Sequence, residues 1–308
     1  MRHRRVSVVA RPRSNCQESL LSDRMLVYGS GQLQWVCRSA REVDGGMEPL
    51  MTGGGLDRLS VLHHPTVAVD RAQVYREWRD IVQEFSQRKL GDPSDKLNAL
   101  EGLAHEFRRG TGDEYLAGLW RRDLICGLSW RQDGSARGSD TLLWNPSRVT
   151  PSWSWAKVDG PVGFCYAENC TAEVLDAAII HNKIEGDYPN ARLDILDGIT
   201  LRARISRMTA AQLVPRFKTV NFDSEPVGFA NYLYLDGGYT NPVFGYSPGT
   251  DGRTRVFAPD GLRLMELSWG RDGGRQNLAA ESRGLVIVPV KGRPDLHMRV
   301  GFFEIALE

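Results

Sequence analysis

The first half of the chain repeats apolar residues at the spacing of an α-helix. Over residues 73–88 the pattern predicts an amphipathic helix whose apolar positions are Val74, Trp78, Ile81, Val82 and Phe85. A second helix is predicted over residues 92–110, where an Asp-Pro start precedes Leu97, Leu100, Leu103, Ala104 and Phe107. A third helix is predicted over residues 113–130, although Gly118 and Gly127 weaken it.

The pattern changes after Trp130, where turn residues separate short runs that alternate or are rich in β-branched residues. These runs predict strands over residues 162–167, 174–180, 200–205, 232–235, 255–257, 262–269, 284–290 and 298–305. Before the helices, residues 26–37 predict a hairpin around Gly29-Ser30-Gly31. Because strands and helices are segregated, we expect an α+β fold with a helical N-terminal and middle segment packed on a β-rich C-terminal part.

The same elements suggest three parts: a basic leader at residues 1–16, expected to be disordered, a mainly helical segment at 17–130, and a β-rich region at 131–308. With 308 residues, 41% hydrophobic and 25% charged, the chain can bury a substantial core. A net charge of +1 gives no electrostatic reason to expect a nucleic-acid partner.

Neither a membrane nor an oxidising compartment is indicated. The longest apolar runs, such as residues 284–290, are far shorter than the roughly 20 residues that span a bilayer. The five cysteines are an odd number scattered over a long chain, which favours reduced thiols and a cytoplasmic location.

The common catalytic and cofactor-binding motifs are absent from this sequence or lack a residue that their chemistry needs. The GYSPG stretch at residues 245–249 has the letters of a nucleophile elbow, but the residue after the serine must donate a backbone N–H, and Pro248 has none. The sequence contains no Walker A motif and no complete dinucleotide fingerprint. Cys165 and Cys170 lack a second Cys/His pair at zinc spacing. We therefore expect neither a metal nor a cofactor.

A few titratable side chains in or beside the apolar runs are candidates for acid–base chemistry. They are Asp159, His181, Tyr234, Asp236 and His297. An acid beside glycines, as Asp236 is, is most often a turn residue, so a structural role stays open for each of them.

Three aromatic residues are candidates for substrate contact: Trp153 and Trp155 in the PSWSW stretch, and Tyr232. Two residues apart in a strand, the two indoles would share one face. Such a face belongs more often to the core than to a ligand site, so a core role is the preferred interpretation.

Four stretches, taken in order, resemble the fungal heterokaryon-incompatibility (HET) domain proteins. The first is QESLLSDR at residues 17–24 with LQWVC at 33–37, and the second is WRDIVQEFSQRKLGDPSDKLNALEGL at 78–103. The third is YLAGLW at 115–120 with LSW at 128–130, and the fourth is PSWSW at 151–155. The similarity covers roughly residues 17 to 165, and the ending at 284–308 is similar to the family's usual tail.

The resemblance implies the C-terminal portion of a HET protein behind an unrelated leader. The family's upstream segments, resembling S-Y-x-W-G and D-x-x-C-I-N-Q, have no counterpart here, and its R-G-W-x-x-Q-E block agrees only from Gln17. The family implies intracellular recognition and cell-death signalling on encountering non-self. A nucleotide-cleaving site of the TIR type would lie mostly in the missing part, so this activity is not expected here.

Two functional hypotheses follow. The first is a non-enzymatic HET-like recognition protein that binds a protein partner in fungal non-self recognition. The second is a metal- and nucleotide-independent cyclase or isomerase, pericyclase-like, which acts on a small apolar metabolite in fungal secondary-metabolite biosynthesis. In the second hypothesis the aromatic and titratable residues named above would form the pocket.

Overall fold

The computed structural model describes residues 6–9, 24–28, 33–37, 41–43, 71–88, 90, 92–132, 143–144, 150–165, 169–178, 198–205, 218–219, 232–236, 245–248, 254–257, 261–270 and 281–306. The chain divides into two compact units, Met1–Tyr115 (unit 1) and Leu116–Glu308 (unit 2). Helices and extensive antiparallel sheet both occur, so the predicted α+β class is confirmed. The boundary between the helical segment and the β-rich region, expected at residues 130–131, lies inside unit 2.

Unit 1 begins with four short strands, β1 (Val6–Val9), β2 (Arg24–Tyr28), β3 (Leu33–Cys37) and β4 (Arg41–Val43). Strands β2 and β3 pair antiparallel, which confirms the predicted hairpin. Within the leader, where disorder is the expectation, Val6–Val9 instead forms a strand that pairs parallel with β2. Its VSVV sequence suits a strand because three of the four residues are β-branched.

Two helices follow, α1 (Arg71–Ser86) and α2 (Glu101–Thr111). The apolar face predicted for α1 is buried throughout. The helix predicted over residues 92–110 begins instead as two 3₁₀ turns, Pro93–Lys96 and Asn98–Leu100, and becomes α-helical at Glu101. Helix α2 ends at Gly112, which adopts the left-handed conformation (φ 63°) typical of a C-terminal cap.

The core of unit 1 is centred on Trp78. Its ring contacts Phe107 edge-on at 5.0 Å between centroids and Tyr115 at 5.8 Å. The Tyr75 hydroxyl donates a hydrogen bond to Asp113 Oδ2 at 2.7 Å. A tryptophan in α1 therefore holds aromatic residues from α2 and from the segment that follows it.

The remaining strands are β5 (Tyr115–Leu116), β6 (Leu119–Trp120), β7 (Trp130–Gln132), β8 (Leu143–Trp144), β9 (Val158–Asp159), β10 (Val162–Phe164), β11 (Asn169–Cys170), β12 (Glu173–Ala178), β13 (Gly198–Arg202), β14 (Lys218–Thr219), β15 (Tyr232–Leu235), β16 (Gly245–Pro248), β17 (Thr254–Phe257), β18 (Arg263–Gly270), β19 (Glu281–Val290) and β20 (Arg293–Ala306). Antiparallel pairs form between β7 and β10, β8 and β9, β12 and β13, and β16 and β17. Each strand run predicted after Trp130 overlaps one of these strands, with bounds that differ by up to five residues at either end.

A sheet of six described strands, in the order β11-β18-β19-β20-β15-β14, is the main structure of unit 2. Neighbours are antiparallel except β14 and β15, which are parallel. The continuous apolar run in β19 places that strand in the interior, with seven consecutive residues from Ser282 to Val288 buried. The apolar core on this sheet consists of Leu233, Leu235, Leu262, Leu264, Val286, Val288, Val300 and Phe303.

The helix predicted over residues 113–130 is wrong for most of its length. Ala117 and Gly118 both take positive φ, at 42° and 97°, so the chain reverses between β5 and β6 in a tight two-residue turn. After a 3₁₀ turn, only α3 (Leu124–Leu128) is α-helical in this segment. Leu116, Leu119 and Trp120 are buried, as their apolar spacing predicts, but they belong to a hairpin and not to a helix.

Trp155 packs directly against this turn. Its indole nitrogen donates a hydrogen bond to Gly118 O at 3.2 Å, and the Ser154 hydroxyl donates to Ala117 O at 2.7 Å. A Cβ atom added at Gly118 would overlap the indole ring. The turn therefore requires glycine for two reasons, the backbone angle and the space occupied by the ring.

In the part of the chain that the structure describes, no helix combines the length and the apolar character that a bilayer crossing requires.

We predict that Gly118→Ala lowers the free energy of unfolding by about 2–4 kcal/mol, because it adds backbone strain and a clash with the Trp155 ring. Gly292→Ala is the matched control in unit 2: Gly292 has a φ of 79° but open space around the missing Cβ. The control is expected to cost about 1 kcal/mol, from backbone strain alone. Urea unfolding followed by tryptophan fluorescence measures both, and equal losses would contradict the clash.

Candidate functional site

The tryptophan pair predicted as a substrate contact lies in the interior of unit 2. Trp153 is 9% exposed and Trp155 is 0% exposed. The strand expected over these residues is not formed, so the two indoles do not share a strand face. Trp155 instead begins a 3₁₀ turn (Trp155–Lys157), which the Ser154 hydroxyl caps by accepting a hydrogen bond from the Ala156 N–H at 3.1 Å.

Asp236, the first acid–base candidate, follows β15 directly and is fully buried. Arg299 of β20, also buried, donates from Nε to Asp236 Oδ2 at 2.8 Å. The two Nη groups of Arg299 donate to Leu128 O at 2.7 Å and to Trp130 O at 2.6 Å. The guanidinium carbon also lies 3.3 Å from the centroid of the Trp130 ring. One arginine thus binds a carboxylate, two backbone carbonyls and an aromatic face.

The electrostatics of this pair favour a structural function. Burial raises the pKa of Asp236 and lowers the pKa of Arg299, and the attraction between the two charges opposes both shifts. Removing the Asp236 carboxylate would leave the Arg299 guanidinium as an uncompensated buried cation, which is costly. Asp236 therefore holds Arg299 in place, and its side chain is not exposed to a substrate.

Tyr234, the second candidate, belongs to a separate network around the carboxylate of Glu304. The Tyr234 hydroxyl donates to Glu304 Oε2 at 2.9 Å, and the Cys165 thiol donates to Oε1 at 3.2 Å. Arg131 forms an ion pair with the same Oε1, and Arg283 Nε lies 3.7 Å from it. The Arg131 guanidinium also lies over the Tyr234 ring, 4.7 Å from its centroid. Three donors therefore converge on one carboxylate, with the Arg283 guanidinium nearby. We call these five residues the Glu304 network.

The environment keeps the neutral donors of the Glu304 network protonated. Burial raises the pKa of Cys165 to about 12, while Arg131 opposes this shift and Glu304 adds to it. Burial likewise raises the pKa of Tyr234. The side chain of Arg131 is 34% exposed and that of Glu304 10%, so Arg131 joins the network to solvent. The arrangement can hold an anion or pass a proton between the carboxylate and the phenol.

The other candidates from the sequence have different positions. Asp159 lies in β9, where its Oδ1 accepts the Gly160 N–H at 3.2 Å and its backbone carbonyl accepts Gln132 Nε2 at 2.7 Å, as expected of a turn residue. His297 is half-buried in β20, paired with Pro289 of β19. The backbone of Tyr232 pairs with that of Glu304. His181 lies outside the described residues.

Sequence analysis did not identify most of the charged residues that complete the two networks. Arg283, Arg299 and Glu304 each interrupt an apolar strand run, in SRGLVIV, MRVGFF and GFFEIAL. Arginine and glutamate are almost never fully buried unless paired, so charges at inward positions of a strand are a usable signal for internal ion pairs. That signal identifies the residues but not their partners, which come from distant strands.

A different feature lies along the outer edge of β18. In the described part of the chain, three large apolar side chains remain exposed: Leu175 at 47%, Trp269 at 44% and Ile205 at 43%. Trp269 pairs with Asn169 of β11, and Ile205 bridges Met265 of β18. Leu175 is the extra residue of a bulge in β12, three residues after Ala172, the last residue bonded to β18. We call these three residues the apolar edge.

Comparison of the chain with protein-family models, with curated proteins and with solved structures gives no match. The geometry of the described residues is therefore the basis for function. It defines an α+β protein with two buried charged networks and an exposed apolar edge.

We predict that Asp236→Ala lowers the free energy of unfolding by about 3–5 kcal/mol, because Arg299 remains buried without its carboxylate. The double variant Asp236→Leu/Arg299→Met, which removes both charges, is expected to recover much of this loss. The exposed pair Glu173–Arg202, with side chains 59% and 70% exposed, provides the control.

Glu173→Ala is expected to cost less than about 1 kcal/mol. Chemical denaturation of the four proteins, wild type included, gives the values. Similar losses for Asp236→Ala and Glu173→Ala would show that the buried pair is not a critical contact.

Proposed function

We propose that this protein is a non-enzymatic recognition protein of the HET type, which binds a protein partner through the apolar edge. The observation that carries the proposal is the exposure of Leu175, Ile205 and Trp269 in segments that follow one edge of the main sheet. Exposed apolar patches mark interaction sites, and the segments of these three residues all bond to, belong to or closely follow residues bonded to β18.

Three of the strings that resemble HET proteins form one packed structure. The Ser154 and Trp155 side chains of PSWSW donate to the carbonyls of Ala117 and Gly118 in YLAGLW. The indole N–H of Trp130, in LSW, donates to Trp153 O at 2.9 Å. The resemblance thus rests on residues that hold one another in place. This supports a shared scaffold, and it supports a binding function more than a catalytic one.

The apolar edge has the geometry of a binding site on a sheet. Among the residues that the structure describes, β11 pairs with β18 at Asn169 and Cys170. Bulges re-aim side chains and are common where a sheet edge serves a function, and the bulge in β12 exposes Leu175. Exposed tryptophans, such as Trp269, contribute more binding energy in protein interfaces than most residue types.

The test is expression in a filamentous fungus with and without an intact HET protein as partner. We expect the wild type to change compatibility or growth only when the partner is present. The variant Leu175→Ser/Ile205→Ser/Trp269→Ser is expected to lose this effect and to lose at least about tenfold in affinity for the purified partner, because the anchoring side chains are gone. Arg263→Gln, an exposed change on the same strand β18, is the control and is expected to behave as the wild type.

Two results would contradict the proposal. One is a wild type without effect in either background. The other is a triple variant that folds, as judged by an unchanged cooperative unfolding transition, and still acts with the partner.

A second candidate function, cyclisation or isomerisation of a small apolar metabolite, is favoured by one observation, the Glu304 network. A carboxylate that accepts from a phenol and a thiol, beside a partly exposed Arg131, has the parts of a proton-transfer site without a metal. In this function Glu304 accepts a proton from the substrate and Tyr234 donates its hydroxyl proton to the product. The proton on Glu304 then passes to Tyr234 along their hydrogen bond, which restores both groups.

The corresponding experiment incubates the purified protein with conjugated polyenes and terpenoid precursors. Chromatography separates the cyclised isomers, which keep the mass of a polyene substrate, and mass spectrometry and loss of polyene absorbance identify them. Glu304→Gln is expected to reduce turnover by about 100-fold or more if Glu304 is the base. Glu173→Gln, an exposed carboxylate in the same unit, is expected to leave turnover unchanged. Absence of turnover by the wild type, or full turnover by Glu304→Gln, would exclude this function.

A further inference from the structure

Strands β12 and β13 form a hairpin that projects from the edge of β18. The chain before the hairpin is bonded to β18 through Ala172, whose N–H donates to Leu267 O at 3.1 Å. The chain after it is bonded through Arg204, whose carbonyl accepts the Glu266 N–H at 2.9 Å. The hairpin therefore leaves the sheet and returns to it at neighbouring residues of β18. In the part of the chain that the structure describes, β13 pairs with β12 and with no other strand.

The two faces of this hairpin differ in polarity, because residues directly opposite each other on two strands share a face. The pairs on one face are polar and exposed: Glu173 with Arg202, and Asp176 with Thr200. The pairs on the other face are apolar and buried or half-buried: Val174 with Leu201, and Ala177 with Ile199. Strand β13 thus alternates between apolar and polar positions. Its outer side can offer backbone N–H and C=O groups to another strand, as a sheet edge does.

The five-residue sequence of β13, GITLR, is suited to pair with a second copy of itself. An antiparallel pair centred on Thr200 places this residue opposite Thr200 of the other copy. Ile199 then lies opposite Leu201, and Arg202 opposite Gly198, and each contact occurs twice because the two copies are related by a two-fold axis. Apolar residues meet apolar residues on one face, and no like charges are directly opposed.

Charge favours β13 over β12 as the contacting strand. Strand β12 carries two carboxylates, Glu173 and Asp176, and no basic residue, so pairing two copies of β12 would bring like charges together. In the β13 pair, Arg202 extends on the polar face across Gly198 of the second copy, which has no side chain. Asp176 of that copy lies on the same face, one strand further, so opposite charges approach each other.

Both of these charged side chains are accessible to a second copy. Arg202 is 70% exposed and Asp176 is 71% exposed. Within its own hairpin Arg202 pairs with Glu173, which is also exposed. Exposed ion pairs of this kind are weak, so Arg202 can share its charge with a carboxylate of the second copy.

We propose that two copies of this protein associate through β13, so that the two hairpins join into one four-stranded antiparallel sheet in the order β12-β13-β13-β12. Backbone hydrogen bonds between the two β13 strands provide the contact, as in other cases of strand addition at a sheet edge. The dimer carries two apolar edges, which raises the avidity for a partner that presents two sites. The association itself does not depend on the recognition function, because it needs only the hairpin.

The experiment measures self-association of the purified full-length protein by sedimentation velocity over a range of concentrations. We expect a monomer–dimer equilibrium for the wild type. Because residue 200 lies on the two-fold axis, Thr200→Lys and Thr200→Glu each bring like charges together and are expected to weaken association by about fivefold. An equal mixture of the two variants brings opposite charges together and is expected to associate at least about fivefold more tightly than either variant alone. Arg263→Gln, an exposed change on β18, is the control and is expected to behave as the wild type.

A second experiment tests the register of the pair with cysteine variants. Directly opposite residues of an antiparallel pair have Cβ atoms about 4.5–5.5 Å apart, so Thr200→Cys is expected to form an intermolecular disulfide under mild oxidation. Asp176→Cys is the matched control on the same face. Its two copies lie three strand spacings apart in the dimer, about 14 Å, and are expected not to form a disulfide with each other. Mass spectrometry of the peptides assigns each bond.

Three results would overturn the dimer. One is a wild type that stays monomeric at every concentration. Another is a mixture of the two Thr200 variants that associates no better than either alone, while both keep the cooperative unfolding transition of the wild type. The third is equal cross-linking of Thr200→Cys and Asp176→Cys. A dimer that forms in a protein without any effect in the fungal assay supports this inference and contradicts the recognition function alone.

Discussion

Unit 2 depends on the way in which Arg299 is buried. A guanidinium that leaves water needs an anion and several acceptors, and here it finds Asp236, Leu128 O and Trp130 O. Arg299 belongs to β20, and its partners belong to the end of β15 and to the segment that runs from α3 into β7. The hydrogen bonds that compensate the burial of Arg299 therefore fix the place at which three parts of the chain meet. A purely apolar contact at this place would tolerate sliding, whereas a forked, charged donor specifies one arrangement.

The arrangement continues from Trp130 to the hairpin. The same ring that receives the Arg299 cation donates its N–H to Trp153 O. Trp153 is two residues from Trp155, whose indole fills the space above Gly118. The segments PSWSW, LSW and YLAGLW are thus parts of one packing arrangement. A substitution in any of them disturbs contacts made by the other two.

Local patterns predicted most of the elements, and long-range contacts decided the exceptions. The periodicity around Trp78 and the continuous apolar run of β19 are local and were interpreted correctly. Residues 113–130 also show a helical stripe, but the turn at Ala117-Gly118 is stabilised by Trp155, which is 37 residues away. Tyr234 and Asp236 were recognisable from sequence as titratable groups beside apolar residues. Their partners Glu304 and Arg299 lie 70 and 63 residues away, beyond any local pattern.

The cysteines show that their spacing along the sequence does not predict the chemical properties of the thiols. Cys165 and Cys170 are close in sequence, yet one is a buried donor to Glu304 and the other is an exposed thiol. Burial disfavours the thiolate of Cys165. The charged side chains of the two buried networks are directed to internal partners. Along the outer edge of β18 lie four exposed residues, Cys170, Trp269, Ile205 and Leu175. A binding partner in solvent can therefore contact this edge.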